Sequence, residues 1–510
     1  MNNAGKNPIL FLSPKERYYI IPAHISQHQI ATALSAYKLE RLSYTSRPFD
    51  IYDTFDGRLA AAHTALLKME NVFYFIDRKS GSYLEASKDL SQQYYYWQDF
   101  SGRLHAMLQR KAASRALYAQ LEIQVKRSTM RLVNDDDKTV QICHFIRLVI
   151  AGRSKKRTIK LIHAVPLKGY SDDLRWVEVQ LRAMGMNEIQ GSLVDLCLDE
   201  SELRLHKKFK PTLNQNQASW KAAQTLLQIL NGTMQAHREG VVKDIDTEFL
   251  HDFRVALRRT RTALDQLECV LPQSEAVHFK AEFKSLQRAT NRLRDLDVHL
   301  LNRSAYEEAL PTSLRSGLVR FFQALSKSRH QEFDRVRRLF DSAEFDALME
   351  QWAIFLCADW QRQESLTLQN APIKALSDQL LNDGLSEILI EAAKITTDTP
   401  GKQIHKIRIR CKNFRYTCEF FHSLYPDEMK KVISQFKELQ DYLGRLHDLS
   451  IQQKRIIKFM RKLQPDADNQ TIAALGGLVV VLTREFEKLR CQIRSRFDTF
   501  SRHVSSSFHV

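Results

Sequence analysis

Residues 251–261 read HDFRVALRRTR, and residues 405–415 read HKIRIRCKNFR. Each stretch opens on a histidine and places cations at +3, +7 and +10. These are His251, Arg254, Arg258 and Arg261 in the first copy, and His405, Arg408, Lys412 and Arg415 in the second. An α-helix turns by about 100° per residue, so the four positions fall within a stripe about 80° wide. Apolar residues lie opposite: Phe253, Leu257, Leu264 and Leu267 in the first copy, Ile407, Phe414 and Phe421 in the second. The spacing predicts two amphipathic helices, each burying one face and displaying a row of positive charge on the other.

A second pair of stretches follows in the same order. Residues 283–296 read FKSLQRATNRLRDL, and residues 436–449 read FKELQDYLGRLHDL. Lys284, Gln287, Arg294 and Asp295 share a helical face, as do Lys437, Gln440, His447 and Asp448, while Leu286 and Leu293 point the other way. The copies are offset by 154 residues for the first motif and 153 for the second. That constancy indicates internal duplication of a multi-helix unit, with a period far longer than a solenoid repeat.

At 510 residues the chain is long enough for two or more domains. Its net charge of +17 and pI near 9.4 favour anionic partners through long-range attraction. Residues 1–210 carry 32 basic and 22 acidic residues, so the helical part is not unusually basic in total. Its signal is arrangement. Seven cysteines without a C-x-x-C pair indicate neither a disulfide framework nor a zinc site, and no cofactor is expected. The apolar run around residues 473–482 is half the length of a membrane span and contains glycine, and the N-terminus lacks a signal-peptide pattern. The sequence predicts a soluble, cytoplasmic protein with no membrane partner.

Residues 1–205 read as an α+β domain built on an antiparallel sheet. A short helix is expected within residues 26–42 and another over 103–120. Strands are expected near 66–76 and 121–133, at 140–150 after a turn at 134–138, at 157–164 and at 175–181. Residues 206–217 are polar and contain Pro211, marking a linker. From residue 218 to 505 the pattern is helical, in two repeats of about 218–370 and 371–505. Breaks are expected near Pro272, Pro311, Pro372, residues 396–401, Pro426 and Pro465, with Asp383–Gly384 as another candidate.

The paired motifs, H-x-x-R-x-x-x-[RK]-x-x-R followed by F-K-x-L-Q-x-x-x-[NG]-R-L-x-D, resemble those of the CHAD domain (conserved histidine α-helical domain). The resemblance implies duplicated four-helix bundles around a basic cavity that binds inorganic polyphosphate. It also implies polyphosphate granules as a location and other granule proteins as further partners. The stretch IYDTFDGRLA at 51–60 is similar to a region of CYTH (triphosphate-tunnel) domains, which implies a closed β-tunnel for residues 1–205. That family binds metal through E-x-E-x-K on its first strand. Here the equivalent region, residues 14–22, has Glu16 alone, with Tyr18 and Ile20 at the alternating positions. In the later acidic strand Glu178 remains, but its neighbour is Gln180. Hard cations need converging oxygen ligands. The N-terminal domain therefore reads as a degenerate tunnel, with no catalytic residue and no metal ligand assigned.

The candidate polyanion-binding set is His251, Arg254, Arg258, Arg261, Lys284, Arg292, Arg294, His405, Arg408, Lys412, Arg415, Lys437, Arg445 and His447. Arginine offers a planar fork to phosphate oxygens, lysine a compact charge, and histidine a ring donor. Arg259 aligns with Asn413 and Arg288 with Asp441, so neither is included. One cationic stripe alone would read as a solvated face, with Asp295 and Asp448 available as pairing acids. Repetition of both stripes turns the reading toward an anion site. Three functions remain open at this point: polyphosphate binding without turnover, a tunnel-type inorganic triphosphatase or polyphosphatase, and nucleic-acid binding. The last is disfavoured because no aromatic residue interleaves the cations.

Overall fold

The computed structural model describes residues 17–87, 92–152, 156–165, 167–190, 193–198, 209–360, 370–425, 427–463 and 469–507. It divides into two compact units, Met1–Lys207 and Lys208–Val510.

The first unit is built on one antiparallel sheet of nine strands. They are β1 (Arg17–Ile20), β2 (Lys38–Asp53), β3 (Thr64–Met69), β4 (Val72–Asp77), β5 (Tyr83–Ser87), β6 (Tyr118–Val133), β7 (Thr139–Ala151), β8 (Lys156–Val165) and β9 (Asn187–Gln190), in the order β5-β4-β3-β2-β6-β7-β8-β1-β9. Alternation sorts the side chains. Leu121, Ile123 and Val125 on β6 share a core with Ile146, Leu148 and Ile150 on β7. Other cores involve the helices α1 (Gln27–Ala33), α2 (Arg58–Ala61), α3 (Gly102–Ala112) and α4 (Ser171–Ala183). A short helix, α5 (Leu193–Cys197), packs Val194 and Cys197 into the β6–β7 core. The expected β6–β7 hairpin forms, and Asn134 Oδ1 accepts from the amides of Asp136 and Lys138 in its turn.

Several sequence expectations are corrected. The segment near 66–76 is two strands, β3 and β4, rather than one. The helix expected within 26–42 ends at Ala33, and the chain is already in β2 at Lys38. The helix expected over 103–120 stops at Ala112, because Ala113 takes a positive φ of 52° and Tyr118 begins β6. Residues 175–181 form no strand; they lie in α4. A strand would put Val177, Val179 and Leu181 on one face. The structure buries Val177 and Leu181, four apart, and leaves Val179 exposed, with Asp172 and Asp173 favouring the helix start. Glu178 thus lies on a helix, 3.8 Å from Arg182. Tyr18, at an alternating position of the first strand, is a core residue. Glu16 lies outside the described residues.

The second unit contains twelve α-helices among the described residues. The first seven are α6 (Ser219–Val242), α7 (Thr247–Gln266), α8 (Gln273–Ala289), α9 (Asn291–Leu301), α10 (Arg303–Glu308), α11 (Val319–Phe340) and α12 (Ala343–Cys357). They are followed by α13 (Ile373–Ala392), α14 (Gly401–Phe421), α15 (Glu428–Met460), α16 (Asn469–Cys491) and α17 (Ile493–Ser507). Prolines 272, 311, 372 and 400 stand immediately before helices. Pro426 and Pro465 lie outside the described residues, as do residues 201–208 of the linker region.

The first motif lies on α7 and its repeat on α14, and the predicted apolar faces of both are buried. Each helix presses a phenylalanine onto a glycine of the helix before it. A Cβ on Gly240 would meet the Phe249 ring at 2.0 Å, and one on Gly384 would meet the Phe414 ring at 2.7 Å. Asp383–Gly384 is therefore no break: α13 runs through it, and the glycine admits a close neighbour. The second motif spans α8 and α9, interrupted at Thr290, whereas its repeat lies within the continuous α15. Equivalent positions also meet one another. Ala218 and Pro372, 154 residues apart, form a bridge, and α7 packs on α14. There Thr262 donates to Asn413, while Arg259, the counterpart of Asn413, lies over the ring of Tyr416, the counterpart of Thr262.

Candidate anion-binding site

The packing of α7 against α14 brings the two cationic stripes together. Arg258 is the common neighbour: its charge acts on His251, Arg254, Arg294, Arg408 and Lys412. Lys412 is pushed down to about 7 by burial and by Arg258, Arg408, Arg415 and Arg254. Burial and the surrounding arginines push His251 down to about 3. His447 falls to about 4, through burial, Arg408 and His405. Both histidines are therefore neutral at pH 7. Among the described residues, Arg258, Arg408 and Lys412 make no hydrogen bond or salt bridge, and Arg258 Nε is buried without an acceptor. Asp295 and Asp448, whose charges act on Arg254 and Arg408, are themselves raised by burial.

The other predicted residues differ in their engagements. Arg254 braces the α8–α9 junction: it donates to the Gln287 carbonyl at 2.9 Å, to Thr290 Oγ1 at 2.5 Å and to Asn291 Oδ1 at 2.7 Å. Its counterpart Arg408 has no such task, because Leu443 and Gly444 stand where the first copy has Thr290 and Asn291 and offer no side-chain acceptor. Arg294 reaches back to the Thr247 carbonyl at 3.1 Å and lies 3.8 Å from Glu248. Arg261 and Arg415 are each oriented by the glutamine of the second motif, Gln287 at 3.0 Å and Gln440 at 2.8 Å. That is a physical reason for the glutamine in F-K-x-L-Q.

Four predicted residues are not drawn into the cluster. Arg292 is exposed and pairs with Glu332 at 3.4 Å; Arg445 forms a fork on Glu485 at 2.7 and 2.8 Å. Lys284 and Lys437 are exposed on the outer faces of α8 and α15. Asp295 pairs with Arg455 at 3.5 Å rather than with a first-motif arginine. Arg259 locks α7 to α14 through Glu419 at 2.6 Å, a connecting role.

The sequence reading missed a cavity beside His405. It measures about 550 Å³ and lies between α14, α15 and α16. His405 and His447 adjoin in its lining, with ring centroids 4.9 Å apart and planes tilted by 31°. Lys402, Arg408 and Lys454 line it too. Lys402 precedes His405 by three and Lys454 follows His447 by seven, so both extend the stripes at helical spacing. They went unnoticed because Glu248 and Leu301 occupy the first-copy positions. Among the described residues no three His, Cys, Asp or Glu side chains converge as a metal ion would require, and no helix is long and apolar enough to cross a membrane.

Residues 225–456 match the family model of the CHAD domain. The CHAD match runs from within α6 to within α15 and contains both copies of both motifs. Among solved structures, the CHAD domain from the plant Ricinus communis is 23% identical with a TM-score of 0.48, covering 57% of this chain and 97% of that one. PptA from Streptomyces chartreusis is 15% identical with a TM-score of 0.42, covering 55% of this chain and 100% of that one. No curated protein matches.

Proposed function

We propose that the helical unit binds inorganic polyphosphate between α7 and α14 and does not turn it over. The observation that carries this reading is the group Arg258, Arg408 and Lys412: half-buried cations that repel one another and make no hydrogen bond or salt bridge among the described residues. Holding such charges together costs stability, and a bound polyanion offsets that cost. A linear inorganic polyanion has charge and acceptor oxygens but no base to stack. That suits a cluster built of cations and neutral histidines. The contacts between equivalent residues of α7 and α14 support two duplicated four-helix bundles related by a pseudo-two-fold. The CHAD match of residues 225–456 supports the same assignment.

The reading places the protein in the cytoplasm, with polyphosphate granules and their proteins as its setting, and nucleic acid as a poorer ligand. The N-terminal unit is read as a degenerate tunnel-like fold without metal-dependent catalysis. Titration with long-chain polyphosphate against RNA of equal charge tests the ligand. Preferential binding of polyphosphate is expected, and equal or tighter binding of RNA would overturn the assignment. Phosphate release that depends on a divalent metal would restore the triphosphatase reading.

A further inference from the structure

The cavity beside His405 has a composition that an inorganic polyanion does not use. Its lining is cationic in part, with Lys402, Arg408, Lys454 and the neighbouring imidazoles of His405 and His447. It is also apolar in part: Ile451 and Phe486 offer surface to it, over Ile404, Leu443 and Leu446, which are buried. Polyphosphate has no apolar surface with which to cover these side chains. A ligand that carries phosphates on a planar or apolar body covers both.

Comparison with the first copy shows how the space arises. There Arg294 reaches across to the Thr247 carbonyl and Glu248, and Asp297 is held by Arg329 at 2.8 Å together with Asp244. The equivalents of Arg294, Asp297 and Glu248 are His447, Ser450 and Lys402. Two side chains have become smaller, and one acid has become a base. The residues that fill and neutralise the first copy are thus replaced by ones that open the second and leave it positive. Helix α14 also begins here without a side-chain cap, adding the positive end of its dipole.

We propose that this cavity is a subsite for a nucleoside polyphosphate, with phosphates toward Lys402, Arg408 and Lys454 and the base against Ile451 and Phe486. It shares His405, Arg408 and His447 with the proposed polyphosphate site but does not rest on that reading.

The test is calorimetric titration of the full chain, in EDTA, with ATP, inorganic tripolyphosphate and long-chain polyphosphate. Two variants accompany the native chain. Ile451→Trp fills the apolar side from a solvent-exposed position, and Lys402→Glu restores the first-copy residue. ATP is expected to bind about ten-fold tighter than tripolyphosphate, because only ATP covers the apolar wall. Ile451→Trp should weaken ATP by about ten-fold and leave tripolyphosphate within about two-fold; Lys402→Glu should weaken both. Equal affinity for ATP and tripolyphosphate, or ATP binding indifferent to Ile451→Trp, would overturn the subsite. If long-chain polyphosphate fails to bind while ATP binds and responds to Ile451→Trp, the polyphosphate assignment falls and the subsite stands.

Discussion

The two copies of the helical motif share a pattern and differ in how their charges are held. In the first, Arg254 and Arg294 are hydrogen-bonded to protein acceptors and Arg329 is clamped by Asp244 and Asp297. In the second, Arg408 and Lys412 make no such bond among the described residues, and the space beside His405 is open. The difference is one of degree: in the first copy Arg254 and Arg294 brace the fold while Arg258 keeps no acceptor, and in the second Arg415 is held by Gln440 while Arg408 and Lys412 are not so engaged.

The largest effect expected from breaking this contrast is on binding. Replacing Arg258, Arg408 and Lys412 together with alanine should abolish polyphosphate binding in a titration while the melting temperature holds or rises, since mutual repulsion is removed. A loss of helical content by circular dichroism would instead mean that these cations brace the fold.

Next comes the paired test of Arg254 and Arg408. Arg254→Ala leaves buried Thr290 and its neighbours without their donor and should cost about 2–4 kcal/mol in urea unfolding. Arg408→Ala should cost less than about 1 kcal/mol, because no hydrogen bond is lost. Equal costs would erase the division of labour between the copies.

A smaller loss, about 1–3 kcal/mol, is expected for Gly384→Ala, whose added methyl must displace the Phe414 ring.

The least conspicuous effect is a pH dependence. The folded pKa of Lys412, about 7, lies below its ordinary 10.5, so the unfolded chain holds more protons between these values. Its contribution therefore makes stability rise with pH across that window, and the full penalty applies below pH 7. Lys412→Met should raise the melting temperature by several degrees at pH 6.5 and much less at pH 10. A constant gain would assign the effect to packing.

Much of this architecture was legible in the sequence because it is periodic. The stripes of α7 and α14 and their buried faces follow from spacing alone, as does the β6–β7 hairpin. What escaped depends on partners distant in sequence. Residues 175–181 alternate like a strand, yet Val177 and Leu181 pack as helical neighbours into a core shared with β1, β7 and β8. Asp383–Gly384 looks like a break until Phe414 is placed against it. Arg254 and Arg408 are indistinguishable within their own motif. Their roles separate only when Thr290 and Asn291 are set beside Leu443 and Gly444. The repeat does not mark Lys402 and Lys454, because Glu248 and Leu301 stand at the first-copy positions, and the open cavity arises where the copies differ.

The central claim is tested most directly by titrating the full chain with long-chain polyphosphate at two salt concentrations, with and without EDTA, while phosphate release is followed in the same samples. Tight binding is expected that weakens with salt as counterions are displaced, survives EDTA and releases no phosphate. Binding lost in EDTA, or phosphate released when a divalent metal is supplied, would contradict it.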